Sequence, residues 1–169
     1  MADEGHFWAS PNLEPKKSYK YSVSFGAVAS PFLIKNAKLP AMEMSTLEAD
    51  YTQYKFYYPG KVTWTPVEFT IYDVIGPMSC AKRLIEVLKD AGMQFPDTAA
   101  VDTTLSKKSV TKVLGDILIE QKDAAGNPAG TWKLINPFIT NVDFGTHGYS
   151  EEALIEIAIT VQYDWATYS

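Results

Sequence analysis

The chain has 169 residues, 46% of them apolar and 21% charged, with a formal net charge of −5 at pH 7. That length is enough for one domain with a substantial core, and the balance of apolar to charged residues is not that of a disordered chain. The negative charge argues against a nucleic-acid-binding surface, which needs a basic excess that Lys16-Lys17 and Lys107-Lys108 are too short to supply.

A single cysteine, Cys80, leaves no intramolecular disulfide and no multi-cysteine zinc site. No run approaches the roughly 18 apolar residues of a membrane span. The opening MADEGHFWASPN has neither the basic start nor the apolar core of a secretory signal, so synthesis in a cytoplasm without export by that route is expected.

Residues 1–17 read as an irregular arm, with Phe7-Trp8 and two prolines, Pro11 and Pro15. The remaining chain, 18–169, reads as one domain. Tyr19, Tyr21, Val23 and Phe25 alternate with smaller or polar residues and predict a strand with one apolar face. A second strand is expected over Phe32–Leu39, stopped by Pro40.

The most unusual stretch follows, from about Leu47 to Asp73. It is rich in Tyr, Phe, Trp, Thr and Val, residues that suit a pleated half-buried surface, and Pro59-Gly60 at its middle predicts the turn of a long β-hairpin. With arms of about ten residues it would reach roughly 30 Å. A two-stranded ribbon of that size is marginal alone in water. Its base is therefore expected in the body and its tip on another copy of the chain. Pro66 cannot donate to a ladder, so that part of the returning arm is read as an edge or a bulge.

After Gly76-Pro77 the period changes. Ser79 can cap a helix over about 79–91, in which Cys80, Leu84, Val87, Leu88 and Ala91 share a face and Gly92 ends the run. Cys80 on that face reads as a small buried hydrophobe. Residues 93–109 read as a loop and Val110–Lys122 as a strand, with a short helix around Lys108–Leu114 as the alternative. A turn over 123–130 leads to short strands at Thr131–Ile135 and Phe138–Phe144, and strict alternation from Ile157 to Trp165 predicts a closing half-buried strand. The fold class is mainly β: an antiparallel sandwich or barrel of about seven strands with one flanking helix and a protruding hairpin.

Chemistry is hard to find. There is no G-x-S-x-G, no phosphate-binding glycine loop and no H-E-x-x-H. His6 and His147 are the only histidines and one of them lies in the expected arm, which disfavours a two-histidine metal site. Asp116, Glu120, Asp143, Glu156 and Asp164 could form a carboxylate pair, but solvated strand positions explain them more simply. No catalytic, cofactor-binding or metal-binding residue is assigned.

The order of features resembles the tail tube protein of contractile-tailed bacteriophages, a family similar in fold to type VI secretion tube proteins. The resemblance rests on GHFWASPNL (5–13), KLPAM before the hairpin, Tyr58-Pro-Gly-Lys61, WTPVEFTIYD (64–73) followed by one helix, Pro137–Val142 and the closing VQYDW (161–165). It spans nearly the whole chain, except that the loop 96–109 is longer and residues 105–130 match poorly. It implies hexameric rings joined sheet to sheet and stacked into a tube, with the hairpin reaching the adjacent ring. Its implied partners are the tail sheath protein, the tape-measure protein, baseplate and tail-terminator proteins, and genomic DNA passing through without specific binding. The implied setting is the phage tail, assembled in the host cytoplasm.

On this reading Tyr54, Phe56, Tyr57, Tyr58, Pro59, Gly60, Lys61 and Trp64 are the expected self-assembly residues. A heterologous contact that closes into rings and repeats along an axis builds such a filament, and edge strands that burden a monomer become its joints. Six chains at −5 would give −30 per ring, and a negative lumen would avoid the phosphate–lysine contacts that make DNA stick. Glu48, Asp50, Asp116, Glu120, Asp143 and Glu156 are its candidate acidic residues. The rival readings are a secretion-system tube or a baseplate tube initiator and, from another class, a monomeric barrel whose aromatics line a ligand pocket. A carboxylate-pair hydrolase ranks last.

Overall fold

The computed structural model describes residues 14–26, 28–30, 33–96, 104–150 and 152–169. Most of the expected arm and part of the 96–109 loop lie outside the described residues. Two four-stranded antiparallel sheets face each other, and a separate two-stranded ribbon extends from them. The first sheet has the order β1-β6-β7-β10, from Tyr21–Ser24, Ile117–Lys122, Pro128–Ile135 and Trp165–Tyr168. The second has the order β2-β5-β9-β8, from Ile34–Ala37, Val67–Tyr72, Glu156–Gln162 and Phe138–Asp143. The body is thus a sandwich.

Alternation along each strand decides what the sandwich buries. In β5, Val67, Phe69 and Ile71 point inward and pair with Val161, Ile159 and Ile157 of β9. In the first sheet Val23, Ile119 and Trp132 lie in register, as do Ile117 and Leu134. Phe25 meets Phe69 edge to face, with ring centroids 5.0 Å apart, a favoured geometry for aromatic pairs. No buried polar or charged residue interrupts this core among the described residues.

Helix α1, Cys80–Asp90, closes part of the core with Cys80, Leu84 and Val87, and Ala91 is buried just beyond its end. The Ser79 hydroxyl accepts from the Lys82 N–H. At the other end Gly92, with φ of +108°, donates to the Lys89 carbonyl while Met93 donates to that of Leu88. This paired closure is one that glycine makes without strain.

Helix α2, Lys107–Leu114, corrects the strand expected from Val110 and bears out its helical alternative. Ser106 and Ser109 cap each other reciprocally, and the Ser109 hydroxyl also donates to the Ala91 carbonyl, tying the start of α2 to the end of α1. Leu114 then enters the core. The described residues thus form ten strands and two helices, more than the about seven strands and one helix expected: α2 is the added helix, and two of the added strands arise where long runs break as the chain changes sheet. One break is Pro66, between β4 (Tyr54–Thr65) and β5. The other is Tyr163-Asp164, between β9 and β10. There the Asp164 N–H donates to the Ile135 carbonyl, while its carboxylate accepts from Lys107 and from Asn136 at 2.8 Å.

Candidate self-assembly surface

The ribbon consists of β3, Ala41–Tyr51, and β4, Tyr54–Thr65. Its turn is Thr52-Gln53, not the expected Pro59-Gly60, and the hairpin begins six residues earlier than Leu47. Thr52 takes φ of +49°, the left-handed conformation that tight hairpin turns require at their first central position. Pro59 and Gly60 instead lie within β4 at a bulge. Met44 pairs with Val62 and Thr46 with Pro59, so two residues, Gly60 and Lys61, oppose Ser45 alone.

Ser45 makes this bulge a built feature. Its hydroxyl accepts from the Lys61 N–H at 2.9 Å and donates to the Lys61 carbonyl at 3.3 Å. A Cβ at position 60 would collide with that hydroxyl, so glycine is required for the close approach. Pro59 is tolerated because the ribbon has no third strand to receive a missing N–H.

Every residue of β3 is exposed, as are Tyr54–Pro59 of β4. Register places Leu47 with Tyr58, Ala49 with Phe56 and Tyr51 with Tyr54, all on one face of the outer ribbon. Tyr54 is 70% exposed and Phe56 52%. Glu48 and Lys55 form an ion pair on the other face at 3.1 Å, beside Asp50 and Tyr57. Trp64 anchors the root, part-buried against Tyr163 with centroids 6.0 Å apart. The candidate residues Tyr54, Phe56 and Tyr58 therefore share a face, Tyr57 lies opposite them, Pro59, Gly60 and Lys61 form the bulge, and Trp64 belongs to the base. Met42, Met44 and Leu47, all more than half exposed, extend the apolar surface beyond the residues expected from sequence.

Tyr51 and Tyr54 are each 70% exposed, Tyr57 61% and Tyr58 59%, and large exposed apolar patches of this kind are uncommon on monomeric soluble proteins. Each sheet also ends in unpaired strands, β1 and β10 in the first and β2 and β8 in the second. β2 and β8 carry register irregularities that blunt their edges, whereas the pairing of β10 is regular.

The six candidate lumen acids fall on three surfaces. Glu48 and Asp50 are on the ribbon. Asp116 pairs with Lys133 at 2.8 Å, and Glu120 accepts from the Ser22 hydroxyl at 3.1 Å, both on the outer face of the first sheet. Asp143 and Glu156 are on the outer face of the second, with Glu68, which sequence reasoning did not single out; only Glu156 has a cation, Lys35 at 2.5 Å. Asp143 accepts from the Gly145 N–H at 2.9 Å, so each acid considered for a carboxylate pair has a separate partner.

Cys80 is fully buried, and burial, with Asp73 nearby, pushes its thiol above the ordinary range, which opposes a nucleophilic role. Among the described residues no group of three or more His, Cys, Asp or Glu could hold a metal ion, and no helix is long and apolar enough to cross a membrane. Tyr51, Tyr54, Phe56, Tyr57 and Tyr58, which a ligand-binding barrel would turn inward, are all more than half exposed on the ribbon.

The fold and the exposed ribbon define a class: β-sandwich chains with a long protruding hairpin. No family model and no curated protein matches the sequence. Solved structures of contractile assemblies match the fold. A chain of the sheath–tube complex of an extracellular contractile injection system, in its extended state, is 18% identical with a TM-score of 0.66, over 92% of this chain and 91% of that one. The tube-terminating cap of the anti-feeding prophage gives 18% and 0.68 over 92% and 91%. The sheath/tube terminator of the injection system gives 18% and 0.68 over 92% and 97%. At this identity the likeness is one of fold, and it is the fold implied by the resemblance to tail tube proteins.

Proposed function

We propose that the chain is a structural subunit that polymerises as stacked hexameric rings into the inner tube of a contractile tail. It does no catalysis in this role. The observation that carries the reading is the ribbon, whose apolar surface of Leu47, Tyr51, Tyr54, Phe56 and Tyr58 has nothing among the described residues to cover it. The free sheet edges available for joining neighbours support the same reading. The sheath protein then surrounds the tube, the tape-measure protein occupies it before genomic DNA passes, and baseplate and terminator proteins close its ends. The tube is built in the host cytoplasm and carried in the virion.

The outer face of the second sheet is the proposed channel wall. It presents Glu68, Asp143 and Glu156 among small polar side chains such as Thr70 and Thr160, a surface that repels phosphate. A tube in which this face points outward, or in which the lumen is net basic, would remove the assignment.

Shortening the ribbon tests the assembly reading. Residues 48–57 replaced by Asn-Gly would join Leu47 to Tyr58 through a two-residue turn. The variant is expected to melt like the parent, since the sandwich is untouched, and to form no tubes. Tubes of unchanged length would refute the role of the ribbon.

A second reading is favoured by the neighbours, which come from injection systems: a tube that delivers cargo other than a genome. Nuclease-protected DNA in isolated particles separates the two.

A further inference from the structure

The apolar residues of the ribbon do not form one stripe. β4 places Tyr54, Phe56, Tyr58, Gly60, Val62 and Trp64 two apart, and in an unbroken strand these would share one face, with Tyr57 on the other. The extra residue at the bulge reverses that alternation, so Tyr54, Phe56 and Tyr58 face one way and Val62 and Trp64 the other. β3 changes phase at the same point without a bulge. Met42 and Met44 are in step with each other, and Leu47, Ala49 and Tyr51 are one residue out of step with them.

Pairing brings the two phase changes into agreement. At the root Met42 joins Trp64 and Met44 joins Val62; at the tip the pairs are Leu47–Tyr58, Ala49–Phe56 and Tyr51–Tyr54. Behind the root stripe lie Glu43, Thr63 and Thr65, and behind the tip stripe Thr46, Glu48, Asp50 and Lys55 together with Pro59 and Tyr57, which continue the face of the root stripe. Two strands thus encode one reversal by different means, and the Ser45 hydroxyl fastens it.

A ribbon that lies on one surface needs one stripe. We propose that this ribbon is held between two other copies of the chain, one covering the tip stripe and the other the root stripe on the opposite face. The inference rests on the self-assembly reading above. Copies are the occupants because both faces are apolar and open. Met42 is 62% and Met44 57% exposed on one face, and Leu47 61% and Tyr58 59% on the other. A single pairwise contact on one face would leave the other stripe in water, whereas a repeating heterologous contact covers separate patches with copies of the same chain.

Inserting one serine after Ser45 tests this. Two residues would then oppose Gly60 and Lys61, the bulge would vanish, and Met42, Met44, Leu47, Ala49 and Tyr51 would fall on one face with all of Tyr54, Phe56, Tyr58, Val62 and Trp64. No apolar residue is changed. The insertion variant is expected to keep the far-ultraviolet circular dichroism and melting of the parent but to lose its tubes in electron micrographs. Tubes like those of the parent would overturn the two-sided ribbon. A second variant avoids any loss of ribbon structure: Met44→Ser with Val62→Ser removes the root stripe and leaves the tip stripe whole. Loss of elongation supports the proposal, and normal tubes contradict it. A parent protein that forms no assembly under any condition would instead sink the self-assembly reading itself.

Discussion

Asp73 joins the second sheet to the helix that follows it. One of its carboxylate oxygens accepts from the N–H groups of Val74, Cys80 and Ala81 at 3.0, 2.8 and 3.4 Å and from the Ser79 hydroxyl at 3.2 Å. The first-turn N–H groups of a helix have no partner within it, so this carboxylate does the work of a cap from outside. Asp73→Ala is expected to cost about 1–2 kcal/mol in denaturant unfolding. Asp164 works at the other sheet change, where the Lys107 ammonium and the Asn136 amide hold its carboxyl below the usual carboxylate range. A depressed folded pKa contributes stability above the unfolded value, near pH 4, and that contribution is lost as pH falls through the folded value. Asp164→Asn should therefore lower stability at neutral pH and flatten its fall in acid, as read by melting temperature against pH. Ser79 and the apolar face of α1 were legible in the sequence because cap and periodicity are local. The roles of Asp73 and Asp164 were not, because their partners are fixed by where the chain turns between layers.

At the scale of elements, the ribbon shows how a local signal can be outvoted. Pro59-Gly60 is a strong turn dipeptide, yet the turn falls at Thr52-Gln53, which carries neither glycine nor asparagine. What decides is the matching of two apolar patterns across the ribbon, and only the register with a bulge at Gly60 aligns Leu47, Ala49 and Tyr51 with Tyr58, Phe56 and Tyr54. Ser45→Ala removes both hydrogen bonds that hold the bulge. It should weaken local protection of the ribbon amides in hydrogen exchange by about 0.5–1.5 kcal/mol, with little effect on global melting. Helix α2 was half legible for a related reason. Its capping box uses Ser109 where Glu or Gln is usual, and Val110, Thr111 and Val113 favour strand by propensity, but burial of Leu114 and the bond to Ala91 favour helix.

At the scale of the molecule, the antiparallel sandwich could be read from alternation, but its division into two sheets could not. The run from Ile157 to Trp165 keeps period two straight through the crossover at Tyr163-Asp164, so nothing in the pattern marks the change of layer. The expectation of a partner comes from the aromatic density of residues 51–64, and the ribbon leaves Tyr51, Tyr54, Phe56, Tyr57 and Tyr58 more than half exposed. That exposure is the physical ground for the proposal of a subunit completed by copies of itself. Negative-stain electron microscopy of the purified protein, with its elution mass measured across concentration, tests this most directly. Rings or tubes with a central channel, and a mass well above 18.8 kDa, are the predicted result. A dispersed particle that stays at 18.8 kDa up to the highest concentration reached, with no ring in any field, would contradict it.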